Sequence, residues 1–261
     1  MLLDGRTALV TGAAQGIGAG IARVLASNGA RVVIVDIQET EAAALAREIG
    51  GHAVVADLTT QEGCRHAVSE AVNLIGKLDI IVNNAAPARN RSLIGEIEGS
   101  DWDIHGTLIL QAAAWLAAAA QPHMGPGASI VNISSVTARS VGEDQCTWPY
   151  HVAKSGLDQL TRYLACRLGP SGIRVNAVAP ALVDRDVGRK LSDDPEMARI
   201  IRATVPLGRA ATATDIGNAV AFLSSDAASY ITGQVLTVDG GLGAREVFAA
   251  GILASGERKS P

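Results

Sequence analysis

The segment Thr11-Gly12-Ala13-Ala14-Gln15-Gly16-Ile17-Gly18 follows directly on the apolar run Ala8-Leu9-Val10 and leads into a second apolar stretch at Ile17. A short buried strand, a glycine turn and a helix start are written in that order. Glycine suits such a turn because the backbone must bend tightly and let a diphosphate approach closely. The helix beyond it offers unpaired N–H groups and the positive end of its dipole to that anion. A glycine pattern alone also fits an ordinary tight turn, so its position after a strand and the residues downstream have to separate the two readings.

The next apolar run, Arg31 to Asp36, is β-branched, as expected of a strand covered on both faces. It ends in Asp36, where a carboxylate can accept hydrogen bonds from an adenosine ribose diol. The same charge repels a 2′-phosphate, and no lysine or arginine occupies the glycine turn or the residues just after Asp36. NAD is therefore expected over NADP. Asp57, after the run Ala53 to Ala56, reads either as an adenine contact or as an ordinary turn carboxylate.

Strand-like and helix-like runs alternate along the chain. Helices are expected at about 17–27, 39–48, 101–121 and 150–168, with one more opened by Thr212 and Asp215. Strands are expected at 7–10, 53–56, 78–82, 128–133, 174–178 and 235–238, besides that ending in Asp36. Thr59 with Glu62 reads as a capping box. This alternation predicts a single α/β domain over 1–261, a Rossmann-type doubly wound fold with a seven-stranded parallel sheet and helices on both faces. Ligands in such sheets bind beyond the carboxyl ends of the strands, where strand order reverses. Residues 181–206 are less periodic and richly charged, which makes them a candidate mobile lid. The tail, about 244–261, reads as frayed.

Composition narrows the function classes. A net charge of −4 and 3% aromatics argue against a nucleic-acid partner or an acidic membrane surface. The apolar stretch Leu108 to Ala120 is too short to span a bilayer and reads as a buried helix. Cys64, Cys146 and Cys166 lie far apart without metal or redox spacing, as expected of reduced thiols in a cytoplasmic protein.

Tyr150 and Lys154 are four residues apart and share one helix face. A free tyrosine, with a pKa of about 10, is a poor base at neutral pH. A neighbouring ammonium favours its phenolate, and Lys154 could also hold a nicotinamide ribose. Ser134-Ser135 ends the preceding strand, where a hydroxyl can donate to a carbonyl or alkoxide oxygen.

Taken together, these residues resemble the short-chain dehydrogenase/reductases. The resemblance runs from about Leu3 to Gly241 and includes the turn Thr11 to Gly18, Asp57, Asn83-Asn84-Ala85, Asn132-Ile133-Ser134-Ser135, Tyr150 with Lys154, Arg174-Val175-Asn176, and Thr232-Gly233 to Asp239-Gly240-Gly241. It implies an NAD(P)-dependent oxidoreductase of alcohols and ketones, commonly tetrameric. By it Tyr150 is the acid/base, Lys154 its electrostatic partner and Ser135, or alternatively Ser134, the donor to the substrate oxygen. The implied cofactor site comprises Gly12, Gln15, Gly16, Ile17 and Gly18, then Asp36, Ile37, Asp57 and Leu58. Asn83, Ala85, Tyr150, Lys154, Pro180 and Val183 complete it.

The sequence departs from the family pattern at Ala86 and Ala181, where glycine is usual, and at Arg185, where threonine is expected. Ile109 takes the place of a helix asparagine. In the family that asparagine supports a helix bend whose main-chain carbonyl positions a water in a proton relay from the lysine. His105, one turn earlier, is either a substitute in the proton path or a partly exposed helix histidine. Arg89, Arg91, Trp148, His151, Arg185 and Arg189 are the candidate substrate-side residues; their arginines read either as an anion site or as solvated loop side chains. The expected function is interconversion of a secondary alcohol and a ketone on a small molecule, by a homo-oligomer (tetramer or dimer). Two alternatives stay open: an NAD-bound redox-neutral lyase or epimerase, and a non-catalytic NAD-binding protein.

Overall fold

The computed structural model describes residues 1–87, 99–142, 146–184, 188 and 190–245. The strands of its main sheet are β1 (Thr7–Thr11), β2 (Arg31–Asp36), β3 (His52–Val55), β4 (Ile80–Asn83), β5 (Ser129–Ile133), β6 (Arg174–Pro180) and β7 (Val235–Val238). They form one parallel sheet in the order β3-β2-β1-β4-β5-β6-β7. The order reverses between β1 and β4, which puts the glycine turn and the Asn83-Asn84-Ala85 segment on either side of the switch point.

The helices are α1 (Gly16–Ser27), α2 (Glu39–Ile49), α3 (Gln61–Ile75), α4 (Gly99–His105), α5 (Ala112–Ala120), α6 (Trp148–Leu168), α7 (Pro195–Thr204) and α8 (Ala213–Ser224). Alternate strand residues feed two cores. Ala8, Val10, Val32, Ile34 and Val82 meet residues of α1, α2 and α8 on one face. Leu9, Val33, Val35, Ile81 and Ile130 meet α3, α5 and α6 on the other. A strand buried on both sides has no polar face to show, which is why these runs read as continuously apolar.

The anchor of α1 against α8 is a backbone-to-backbone approach. A Cβ on Gly20 would lie 2.3 Å from the Ala213 Cβ, and one on Gly217 would lie 2.7 Å from Val24. The start of α8 is a capping box between Thr212 and Asp215, as expected. The expected box at Thr59 is corrected: Thr60 caps α3 by accepting from the Gly63 amide, while the Thr59 hydroxyl and amide donate to Asp57. The shorter reach to an acceptor two residues back wins over the cap.

The helix expected over 101–121 is interrupted. Gly106–Gln111 forms a π segment between α4 and α5, with the Ala112 amide donating to the Thr107 carbonyl. The 181–206 stretch is not without order. It holds a two-residue strand, Val183–Asp184, and α7, capped by Asp194 and packed through Ile201 and Val205. The tail beyond residue 245 lies outside the described residues. No helix among the described residues is long and apolar enough to cross a membrane.

Candidate active site

A cleft of about 620 Å³ runs along the carboxyl ends of the strands. Its floor at one end is the glycine turn, where Gly12, Gln15, Gly16, Ile17 and Gly18 all line the cleft. Gly12 and Gly16 have φ of +60° and +61°, which side-chain-bearing residues rarely adopt. A Cβ on Gly18 would stand 2.3 Å from the Gly12 carbonyl oxygen and 2.5 Å from the Asn84 amide nitrogen. The turn is thus a cradle that only glycine leaves open, and its α1 end carries unpaired N–H groups.

Asp36, Ile37, Asp57 and Leu58 line the adjoining wall. Asp36 is nearly buried, and its carboxylate accepts from the Ala14 amide at 2.9 Å and the Gln38 amide at 3.1 Å. The hydrogen bonds from the Thr59 hydroxyl and amide hold the Asp57 carboxyl below its ordinary value. Val35, Gln38, Ala56, Thr59 and Asn84 also line this half. Asn84 belongs to the expected Asn83–Ala85 segment; the other four escaped the sequence reading because residues at and just around a strand's end face the cleft by geometry, not by type.

At the other end, Tyr150 and Lys154 project from α6 beside Ile133, Ser134 and Pro180. Both side chains are almost fully buried. The Lys154 ammonium lies 5.5 Å from the Tyr150 ring centre and donates to the Ile133 carbonyl at 2.5 Å. The two serines divide their work. Ser134 Oγ donates to the buried Asp158 carboxylate at 2.5 Å, with Arg139 3.7 Å from the other oxygen. Ser135 Oγ accepts from the Thr137 amide at 3.2 Å, a bond that leaves its own proton to give.

Ala85, Ala86 and Pro87 line the cleft after β4. The Asn83 side chain does not. It turns into the sheet and donates to Asn132, which in turn donates to Thr161. Ser135, Val183 and Trp148 are likewise not among the cleft-lining residues. Trp148 stacks on Trp102 at the N-terminus of α6. His151 is fixed on both nitrogens, by the Thr147 carbonyl and the Gly142 amide. Arg89, Arg91, Arg185 and Arg189 lie outside the described residues.

The π segment carries Ile109 buried against Tyr150 and Leu157. The bend is therefore kept without an asparagine. A π turn widens the backbone and releases carbonyls from α-helical pairing. Next to it, Thr11, Asn83, Ile109 and Lys154 enclose a hollow of about 10 Å³, room for one water. The Asn83 Oδ1 atom is buried with no hydrogen-bond partner among the described residues. His105 is also corrected: it is 1% exposed, because the helix turns it inward onto Tyr150.

Residues 12–243 match a family model described as Enoyl-(Acyl carrier protein) reductase. Cis-4-hydroxycyclohexanecarboxylate dehydrogenase of Sinomonas cyclohexanicum is 39% identical over 90% of this chain and 96% of its own. Galactitol 2-dehydrogenase (L-tagatose-forming) of Cereibacter sphaeroides is 37% identical over 92% and 95%. A short-chain dehydrogenase of Burkholderia cenocepacia J2315 in complex with NADP superposes with a TM-score of 0.85, at 33% identity, over 93% of this chain and all of that one. With the doubly wound sheet, the glycine cradle and the Tyr150–Lys154 pair at one cleft, this chain belongs to the short-chain dehydrogenase/reductase family of oxidoreductases.

Proposed function

We propose that the protein is an NAD-dependent alcohol dehydrogenase/ketone reductase that interconverts a secondary alcohol and a ketone, with Tyr150 as the acid/base. The observation that carries this reading is the burial of Tyr150 and Lys154 side by side at the end of a cleft whose other end is the glycine cradle. Two relatives named as dehydrogenases of hydroxylated compounds support the same substrate chemistry.

The turn from Gly12 to Gly18 would hold the cofactor's diphosphate, and Asp36 with Ile37 its adenosine ribose. Asp57 and Leu58 would meet the base; Ala85, Pro180 and Val183 would approach the nicotinamide. When bound, the nicotinamide supplies the hydride acceptor or donor for the substrate carbon. Tyr150 holds the proton that leaves or joins the substrate oxygen, and Ser135 donates a hydrogen bond to that oxygen. The Lys154 ammonium beside the ring would stabilise the phenolate form. The hollow between Asn83, Ile109 and Lys154 has room for a water that would pass the proton on.

NAD is favoured over NADP by charge. Asp36 sits at the ribose end, and Lys154 is the one basic residue among the described cleft-lining residues, at the opposite end. The competing reading rests on the solved relative that holds NADP. A homo-oligomeric cytoplasmic enzyme with one domain over 1–261 completes the proposal.

Reduced-nicotinamide absorbance, followed with NAD and NADP across a panel of secondary alcohols and ketones, tests it. Turnover with NAD is expected, and Tyr150→Phe should lower kcat by about 10²–10⁴. Faster turnover with NADP would reverse the cofactor assignment. Product formed without net cofactor change would favour a lyase or epimerase, and cofactor binding without turnover a non-catalytic protein.

A further inference from the structure

The side chains of α6 form two neighbouring stripes. Tyr150, Lys154 and Leu157 line the cleft or the hollow beside it. His151, Ser155 and Asp158 have the spacing of an adjacent helix face, and all three reach one strap, residues 134–142, that leaves the end of β5. The Gly142 amide donates to His151 Nε2 at 3.2 Å, and the Ser155 hydroxyl donates to the Ala138 carbonyl at 2.8 Å. Deepest of the three, Asp158 accepts from Ser134 Oγ at 2.5 Å and turns its other oxygen to Arg139 Nε at 3.7 Å.

Asp158 is 4% exposed, and a carboxylate at that depth is costly unless its oxygens are held. Both holds fall on the strap. Ser134 directly precedes Ser135, and Arg139 follows it by about one helical turn's worth of chain. The Ser134 contact has the length of a charge-assisted bond between a hydroxyl and a carboxylate. Ser135 itself makes no side-chain bond to α6 among the described residues; its hydroxyl accepts from the Thr137 amide, inside the strap. Where that hydroxyl stands relative to Tyr150 therefore depends on how the strap is tied to α6 on either side of it.

We propose, building on the reading of Ser135 as donor to the substrate oxygen, that Asp158 is a positioning residue for the reaction. By tying Ser134 and Arg139 to α6, its carboxylate fixes the Ser135 hydroxyl in register with Tyr150. Asp158 is not among the cleft-lining residues, so its effect on the reaction passes through Ser135.

The variants are Asp158→Leu, which removes the acceptor, and Asp158→Asn, which keeps one for Ser134. Kinetics use NAD and the secondary alcohol that the wild type oxidises fastest. Asp158→Leu should lower kcat by about ten- to a hundredfold, with cofactor affinity within about twofold of wild type. Asp158→Asn should recover most of that loss. In a Ser135→Ala background, Asp158→Leu should lower kcat no further; an equal fall in both backgrounds would show a general structural role and overturn the proposal.

Hydrogen exchange of the full chain reads the tie without turnover. The Ala138 and Arg139 amides, bonded to the Ser135 and Val136 carbonyls, should exchange about tenfold faster in Asp158→Leu, while β5 and α6 keep their protection. Ser134→Ala cuts the same tie from the strap side and should loosen the same amides, which keeps the proposal testable if Asp158→Leu does not fold. Unchanged strap exchange in the folded variants overturns it. A wild type that oxidises no alcohol, with the strap still loosened by the variants, would overturn the oxidoreductase reading and leave the tie standing.

Discussion

The carboxylate of Asp36, at the end of β2, accepts from the Ala14 amide inside the glycine turn at 2.9 Å, so one side chain both braces the cradle and charges its rim. Replacing it has two consequences. Asp36→Ala should weaken NAD binding by about tenfold or more and lower the melting temperature by a few degrees, since the Ala14 and Gln38 amides lose an ionised acceptor. Affinity for NADP should rise relative to NAD. Fluorescence titration with both cofactors checks this, and an unchanged ratio would remove Asp36 from the choice between them.

Gly18→Ala should abolish cofactor binding. Its methyl group would press on the Gly12 carbonyl and on the Asn84 amide, which donates to both the Thr11 and Gly12 carbonyls. A loss of about 1–3 kcal/mol of stability is expected from the forced backbone shift. Gly125→Ala, where a Cβ meets nothing within 4 Å, is the matched control. Equal cofactor affinity in the two variants would contradict the cradle.

Thiol reactivity should follow burial. Cys64 is fully buried, and burial together with the nearby Asp57 charge pushes its thiol up to about 11. Cys146 is also buried, whereas Cys166 is exposed. A disulfide reagent at pH 8 should modify Cys166 alone in the folded chain and all three thiols after denaturation. Fast modification of Cys64 in the native protein would show that the α3 layer opens.

Acid stability should depend on the start of α8. Arg209 grips both Asp215 oxygens, and the Thr212 amide and hydroxyl add to them. The Arg209 guanidinium first, then the Thr212 bonds, hold the Asp215 carboxyl well below its ordinary 3.8. A depressed folded-state pKa contributes stability that is present above the unfolded value and is lost as pH falls through the folded one. Asp215→Asn should therefore cost about 1 kcal/mol at pH 7, the size of a lost cap, and the gap to wild type should close only in strong acid. Urea melts at pH 7 and pH 2 measure both. Because α8 packs on α1 through Gly20 and Gly217, the variant should also loosen the cofactor turn.

Much of this molecule is legible in one dimension. β2, α1 and β7 stand within a residue of where periodicity puts them, because a strand buried on both faces and a helix closed by Asn28-Gly29 are local statements. The capping box of Thr212 and Asp215 is legible for the same reason. Thr59 misled, because two adjacent threonines can each cap α3, and the hydrogen bonds of Thr59 to Asp57 leave the cap to Thr60. The same holds for the serines. Adjacent in sequence, they differ because Asp158, 24 residues further on in α6, takes the hydroxyl of Ser134.

By itself the sequence determined the order of the strands and helices, the glycine cradle, Asp36 beside it, and the pairing of Tyr150 with Lys154. These depend on residue type at short spacing, and backbone geometry converts such spacing directly into a face or a turn. Only the tertiary structure decided that Asn83 turns away from the cleft, that the helix keeps a π bend around Ile109, and that His105 is buried edge-on against Tyr150. Those outcomes depend on which side chains arrive from other elements to fill a volume or meet a polar atom, and packing of that kind leaves no periodic trace in the chain.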